Sequence, residues 1–164
     1  MELAARLRRA EESDLDACVE LWVEACAARD GMAVPGVAER ARAKFADAAV
    51  WLVAETDARR DGFALVTVPG SGIPADPADA AVLGLLAVAP GAQRRGLARA
   101  LLRAAMAGAR DAGYPRLVLH VLADNLAAVR LYESEGWRPL GAPFEHSLLR
   151  RMSQTYLAEP TTHS

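Results

Sequence analysis

Two short stretches of this chain hold residues whose types and spacing suit chemistry. The first is Gln93-Arg94-Arg95-Gly96-Leu97-Ala98, which follows Pro90-Gly91 at the end of an apolar run and opens a long helical pattern. At such a strand-to-helix turn the first helical N–H groups lack intrahelical acceptors, and the macrodipole adds partial positive charge. The turn therefore suits phosphate oxygens. Gly96 admits a close backbone approach, Ala98 keeps the first turn narrow, and Arg94, Arg95, Arg99 and Arg103 add cationic charge. Taken alone, the turn reads equally as a solvated connection. Neither Gly-x-x-x-x-Gly-Lys-Ser/Thr nor Gly-x-Gly-x-x-Gly occurs, which excludes a triphosphate P-loop and a dinucleotide fingerprint.

The second stretch runs from Asn125 to Trp137 and opens a helix directly after a strand pattern. Asn125 and Tyr132, seven residues apart, share a helix face, and the small Ala128 between them leaves space above it. An Asn amide offers a donor and an acceptor, and a Tyr hydroxyl can donate a proton. Each residue also has a plain structural reading, Asn125 as an N-cap and Tyr132 as a core aromatic.

Together the two stretches resemble the GCN5-related N-acetyltransferase (GNAT) superfamily. The resemblance rests on Val88-Ala89-Pro90, on Gln93-Arg94-Arg95-Gly96-Leu97-Ala98, and on Asn125-Leu126-Ala127-Ala128-Val129-Arg130-Leu131-Tyr132-Glu133-Ser134-Glu135-Gly136-Trp137. It implies acetyl-CoA as co-substrate. The backbone of Leu86, Ala87 and Val88 would meet the pantetheine arm, and the turn from Gln93, Arg94 and Arg95 through Gly96, Leu97, Ala98 and Arg99 would meet the pyrophosphate. Asn125 would contact pantetheine, and Tyr132 would stand near the sulfur. The implied reaction is direct attack of a neutral primary amine on the acetyl thioester in a ternary complex. Tyr132, as general acid, would protonate the departing thiolate. No metal is implied. A non-catalytic acyl-CoA sensor of the same fold is the alternative, and a homodimer through the late strands is one assembly the resemblance allows.

The general base stays open among Glu55, His120, His146 and a water relay. Alternation places His120 opposite Leu117, Leu119 and Val121 in its strand. The acceptor, a small-molecule or protein amine, would meet residues 29–45, 69–79 and 142–146. Asp30, Asp76, Asp79 and Glu145 in those segments lean toward a cationic amine.

The elements that must position these residues follow from patterning. Apolar positions at helical spacing mark helices after Ser13-Asp14, from Pro35 or Gly36 to about Ala48, from Gly96 to Ala112, and from Asn125 to Glu135. Strands are expected at 50–55, 63–68, 81–88, 117–122, 137–140 and 145–152, with a weak one near 3–9. Residues 69–79 read as the clearest loop. The order is that of an α/β or α+β fold. The resemblance makes it a mixed, mostly antiparallel sheet of about seven strands with about four helices.

The 164 residues suit one domain, expected over 1–157, with a flexible tail at 158–164. A hydrophobic fraction of 52% provides a core, and a net charge of −2 argues against a dedicated nucleic-acid binder. Cys18 and Cys26, eight residues apart on one helix, stand about 12 Å apart along its axis, too far for a disulfide. With no signal-peptide pattern and no apolar run of membrane length, the expectation is a cytoplasmic chain with no membrane partner.

Overall fold

A computed structural model describes residues 5–92 and 96–159. Seven strands form one sheet: β1 (Arg6–Arg9), β2 (Ala48–Thr56), β3 (Arg59–Thr67), β4 (Ala80–Val88), β5 (Arg116–Leu122), β6 (Arg138–Glu145) and β7 (Met152–Ala158). Four α-helices accompany them: α1 (Leu15–Asp30), α2 (Val37–Lys44), α3 (Leu97–Asp111) and α4 (Leu126–Ser134). The strand order is β1-β2-β3-β4-β5-β7-β6, antiparallel at every pair but β4 and β5. The expected mixed, mostly antiparallel sheet is what the chain forms.

The sheet is buried on both faces. Leu97, Leu101, Leu102, Ala105 and Ala109 form one stripe of α3 and pack, with Tyr132 and Trp137, on Ala64, Val66, Leu83, Val88, Leu119 and Val121. Cys18, Leu21 and Ala41 from α1 and α2 cover the other face at Val53, Phe63, Leu65, Leu85 and Ala87. Both cysteines are free and buried. The outer edges of the sheet resist pairing with a further strand: β1 is short and carries Arg6, Arg8 and Arg9, while β6 carries Pro139 and Pro143.

Two boundaries differ from expectation. The segment expected as a strand at 145–152 is the end of β6 followed by a turn, and the last strand lies later, at Met152–Ala158. A register irregularity between Leu140 and Phe144 breaks the alternation there, and most of β6 is exposed, so its sequence carries no burial rhythm. The strand also takes in Ala158, which is buried and paired with Leu117. The second helix ends early, at Lys44, with a 3-10 turn from Phe45 to Asp47 leading into β2.

Candidate active site

The site begins where two parallel strands part. β4 and β5 pair only from Ala80, Ala81 and Val82 to Arg116, Leu117 and Val118. Beyond this, residues 83–88 and 119–122 keep their outer partners, β3 and β7, but have no ladder to each other. A cavity of about 850 Å³ runs through this gap. It is lined by Leu83–Val88 and Leu119–Leu122, by the start of α3 and the inner face of α4, and by α1, α2 and the 144–149 segment.

A bulge shapes the β4 wall. Leu65 faces Leu85 and Val66 faces Leu83, so Gly84 is the extra residue. The insertion reverses the parity of the strand. Ala81 and Leu83 point to the α3 side, whereas Leu85 and Ala87 point to the α1/α2 side. Leu86 and Val88 are thereby returned to the face that carries Tyr132. The Gly84 carbonyl accepts a hydrogen bond from Lys44 Nζ at 3.3 Å.

At one end of the cavity, Gly96 is the N-cap of α3, in the left-handed region at φ 69°, and among the described residues no side chain caps the helix. Gly96, Leu97, Ala98 and Arg99 line the cavity, so the unpaired N–H groups of the first turn face it uncapped. Gln93, Arg94 and Arg95 lie outside the described residues. The charge of Arg99 is not free: its guanidinium donates to Ser134 Oγ and to Glu135 Oε2, at 2.9 and 3.0 Å, and Arg103 shares the same carboxylate. These bonds tie α3 to the end of α4.

Asn125 combines both of its sequence readings. It is the N-cap of α4, its Oδ1 accepting from the Ala128 N–H at 3.4 Å, and it also lines the cavity, its amide donors meeting no acceptor among the described residues. Tyr132 is held from below. Trp137 N donates to Tyr132 O, Gly136 N donates to Glu133 O, and Gly136 has φ 90°. This is a Schellman close, in which the residue after the left-handed glycine packs on the third residue from the helix end. The Tyr132 and Trp137 rings meet at 6.0 Å. The Tyr-x-x-x-Gly-Trp spacing is therefore a device that fixes the phenol. Tyr132 is only 9% exposed, and among the described residues no hydrogen bond engages its hydroxyl. Burial pushes its pKa up to about 12.

The three base candidates fall in very different places. Glu55 does not line the cavity; it receives Arg8 Nε at 2.6 Å near the β1 edge. His146 lines the cavity, but its Nδ1 accepts the N–H groups of Leu148 and Leu149 at 3.1 and 3.0 Å. Its pKa falls to about 4, through burial and then the positive charges of Arg40, Lys44, Arg29 and Arg151. The ring is neutral, with its lone pair committed to the turn. His120 stands in the gap itself. Its Nε2 lies 2.9 Å from Asp76 Oδ1, and its ring meets the edge of Phe144 at 5.7 Å. Asp76, 5% exposed, also accepts the Ile73 N–H through Oδ2. Opposite an ionised carboxylate, which only accepts, Nε2 carries a proton, and in a neutral ring Nδ1 then keeps the lone pair.

The loop is fitted to this pair. A Cβ on Gly72 would lie 2.1 Å from Asp76 Oδ2 and 3.1 Å from His120 Cε1. The acidic lean of the acceptor segments is corrected by these partners. Asp30 takes Arg29 and Arg151, Asp76 takes His120, Asp79 takes Arg116, and Glu145 takes Arg150. Each of these four carboxylates thus already has a basic side-chain partner among the described residues.

Residues 10–137 match the model of the acetyltransferase (GNAT) family. The chain belongs to that family. GNAT acetyltransferases use acetyl-CoA. A mycothiol acetyltransferase from Jonesia denitrificans is 43% identical over 58 residues, covering 35% of this chain and 18% of that protein. The match thus spans under a fifth of the relative's length. Among solved structures, the ribosomal-protein-S18-alanine N-acetyltransferase from Escherichia coli superposes with a TM-score of 0.75 at 22% identity, covering 98% of this chain and 96% of the other. The protein yncA from Salmonella typhimurium, solved with its cofactor acetyl-CoA, gives 0.73 at 21% identity, covering 99% and 97%. At these identities the likeness is one of fold. Among the described residues no helix is long and apolar enough to cross a membrane.

Within this GNAT fold, sequence reading missed Asp76 as the partner of His120, and the pair Arg40 and Lys44 on the cavity wall. One signal was present. Lys44 is the chain's single lysine among many arginines, four residues after Arg40 on a short helix.

Proposed function

We propose that this acetyltransferase moves the acetyl group of acetyl-CoA to a primary amine by direct attack in a ternary complex. The observation that carries the reading is the parting of β4 and β5, which leaves the β5-facing edge of β4 at Leu86, Ala87 and Val88 without a ladder, on a cavity that Tyr132 and His120 also line. An extended amide chain laid in that gap finds a strand's donors and acceptors ready. The uncapped first turn of α3, from Gly96 to Arg99, supplies N–H groups for phosphate oxygens, with Gln93, Arg94 and Arg95 preceding it in the chain. The Asn125 amide adds a donor along the arm. Bound acetyl-CoA supplies the activated acyl group.

The protein's own residues then divide the proton work. His120 Nδ1, oriented by Asp76, takes the proton from the attacking amine. A backbone N–H at the end of β4 stabilises the oxygen that gains charge. Tyr132 Oη donates to the departing sulfur. A phenol at about 12 is a weak acid toward a thiolate in water. Burial disfavours a thiolate as well, so a sulfur departing into the same closed space gains proton affinity of its own.

The test is release of free thiol from acetyl-CoA across a panel of primary amines. Tyr132→Phe is expected to lower kcat by about 10²-fold or more with little change in acetyl-CoA affinity. His120→Gln is expected to lower kcat with little change in acetyl-CoA affinity. Cofactor binding without thiol release from any amine would instead make the chain a sensor. Equal turnover in Tyr132→Phe would remove that residue from the chemistry.

A further inference from the structure

The acceptor end of the cavity has a charge that no carboxylate among the described residues pairs with. Arg40 and Lys44 stand four residues apart on α2 and line the cavity together with Val37 and Ala41 from the same helix face. Arg42, between them, points elsewhere and pairs with Asp16 at 2.9 Å. Arg40 and Lys44 have no carboxylate partner among the described residues. The Lys44 ammonium has three donors and uses one, on the Gly84 carbonyl of the bulge. Like charges four apart on a helix repel each other, so this pair is unfavourable until an anion arrives.

Their surroundings do not cancel the charge. Two carboxylates line the cavity among the described residues, Asp47 and Glu145. Glu145 is held by Arg150 at 2.5 Å, and Asp47 is exposed. Arg29 adds a third lining cation, tied to Asp30. His146 completes the wall as a donor: with Nδ1 committed to two backbone amides, its neutral ring has only Nε2–H to offer. The proton affinities of both Lys44 and His146 are depressed first by burial and then by the charge of Arg40.

We infer that the amine acceptor carries an anionic oxygen group, a carboxylate or phosphonate, seated between Arg40 and Lys44. This rests on the transfer reading above and names the substrate class for the same site: amino acids and related anionic amines, rather than polycationic ones. Lys44 links the two parts of the site physically. It sits on the carbonyl of the bulge that sets the β4 wall, so an anion bound there is fixed relative to the reacting strand.

Matched amines test this: an amino acid, its aminophosphonate analogue, its neutral amide, and the amine lacking the acid group. The wild type is expected to favour the two anionic members by about tenfold or more in kcat/KM, as a charge-assisted contact in a partly buried site should. Comparing carboxylate with phosphonate identifies which anion fits. Lys44→Met and the more exposed Arg40→Gln are each expected to shrink the preference, mainly through KM for the anionic amine. A second readout needs no turnover: calorimetric binding of the N-acetyl amino acid against its N-acetyl amide. Thiol release without anionic preference in the wild type overturns the inference and leaves acetyl transfer standing. Binding of the carboxylate that is lost in both variants, with no thiol release, does the reverse. A preference that survives in both variants also overturns the assignment.

Discussion

Replacing Gly72 by alanine probes the fit between the 69–79 loop and His120. The new methyl would lie 2.1 Å from Asp76 Oδ2 and 3.1 Å from His120 Cε1. Favourable contacts begin at about 3.5 Å, so the carboxylate must retreat by more than about 1 Å. Asp76 Oδ1 now stands 2.9 Å from His120 Nε2. Hydrogen bonds of this kind fade beyond about 3.2 Å, so such a retreat breaks the bond. A catalytic group misplaced by about 1 Å costs on the order of 10²-fold in rate. Loss of two hydrogen bonds to a charged acceptor, from His120 and from Ile73 N, costs about 3 kcal/mol or more. A domain's total stability of about 5–15 kcal/mol can absorb this, so the variant should still fold. The assay is thiol release by Gly72→Ala, His120→Gln and the double variant, with urea denaturation of each. The expected result is a kcat loss of about 10²-fold in Gly72→Ala and little further loss when it is added to His120→Gln. Wild-type turnover in Gly72→Ala, or losses that multiply in the double variant, would refute the reasoning.

Two further outcomes concern acid stability. Asp14 is 1% exposed and accepts both Arg8 Nη atoms at 2.9 Å, Arg60 Nε at 2.6 Å and the Glu11 N–H at 2.7 Å. The Arg8 guanidinium above all holds its carboxyl well below the usual carboxylate range. A depressed carboxylate stabilises above its unfolded pKa of about 3.9, and the contribution fades as pH falls below it. Asp14→Asn should cost about 3 kcal/mol at pH 7, and much less at pH 2, by urea denaturation. His146 falls from 6.5 to about 4 in the fold, so the unfolded chain binds the extra proton and stability drops as pH falls from 6.5 toward 4. In His146→Asn a carbonyl oxygen can replace Nδ1 on the turn. Stability at pH 7 should hold while that drop flattens, as followed by thermal melting at pH 7, 5.5 and 4.5.

The element order, the amphipathic stripe of α3 and the closing turn of α4 were legible because each is written locally. Gly136, Trp137 and Tyr132 lie within one helical turn and its exit, so their spacing carries their geometry. The end of the chain was less legible. Exposed β6 has no alternation to read, and residues 141–143 fall within a register irregularity, which shifted the last strand. Site chemistry between distant segments was not legible at all. His120 meets Asp76 across 44 residues, and Lys44 reaches the Gly84 carbonyl across 40. Neither approach leaves a periodic mark. The acidic residues misled for a related reason. Their number is visible in sequence, but the arginines that neutralise them are set by tertiary contacts such as that of Arg151 with Asp30.

The gap between β4 and β5 has a consequence for the lifetime of the folded chain. Arginines and prolines guard the outer rims of the sheet, whereas its middle holds two bare ladders that face each other. An acyl donor laid between them, as proposed above, would act as a missing rung and close a seam in the protein's own architecture. Occupancy at a hundred times the dissociation constant would add about 2.7 kcal/mol to the folded state. The amide protons of 83–88 that point into the gap rather than toward β3 would then exchange slowly with the donor present and faster without it. Metabolic supply of the donor would thereby set how long each molecule resists opening, as well as how fast it works.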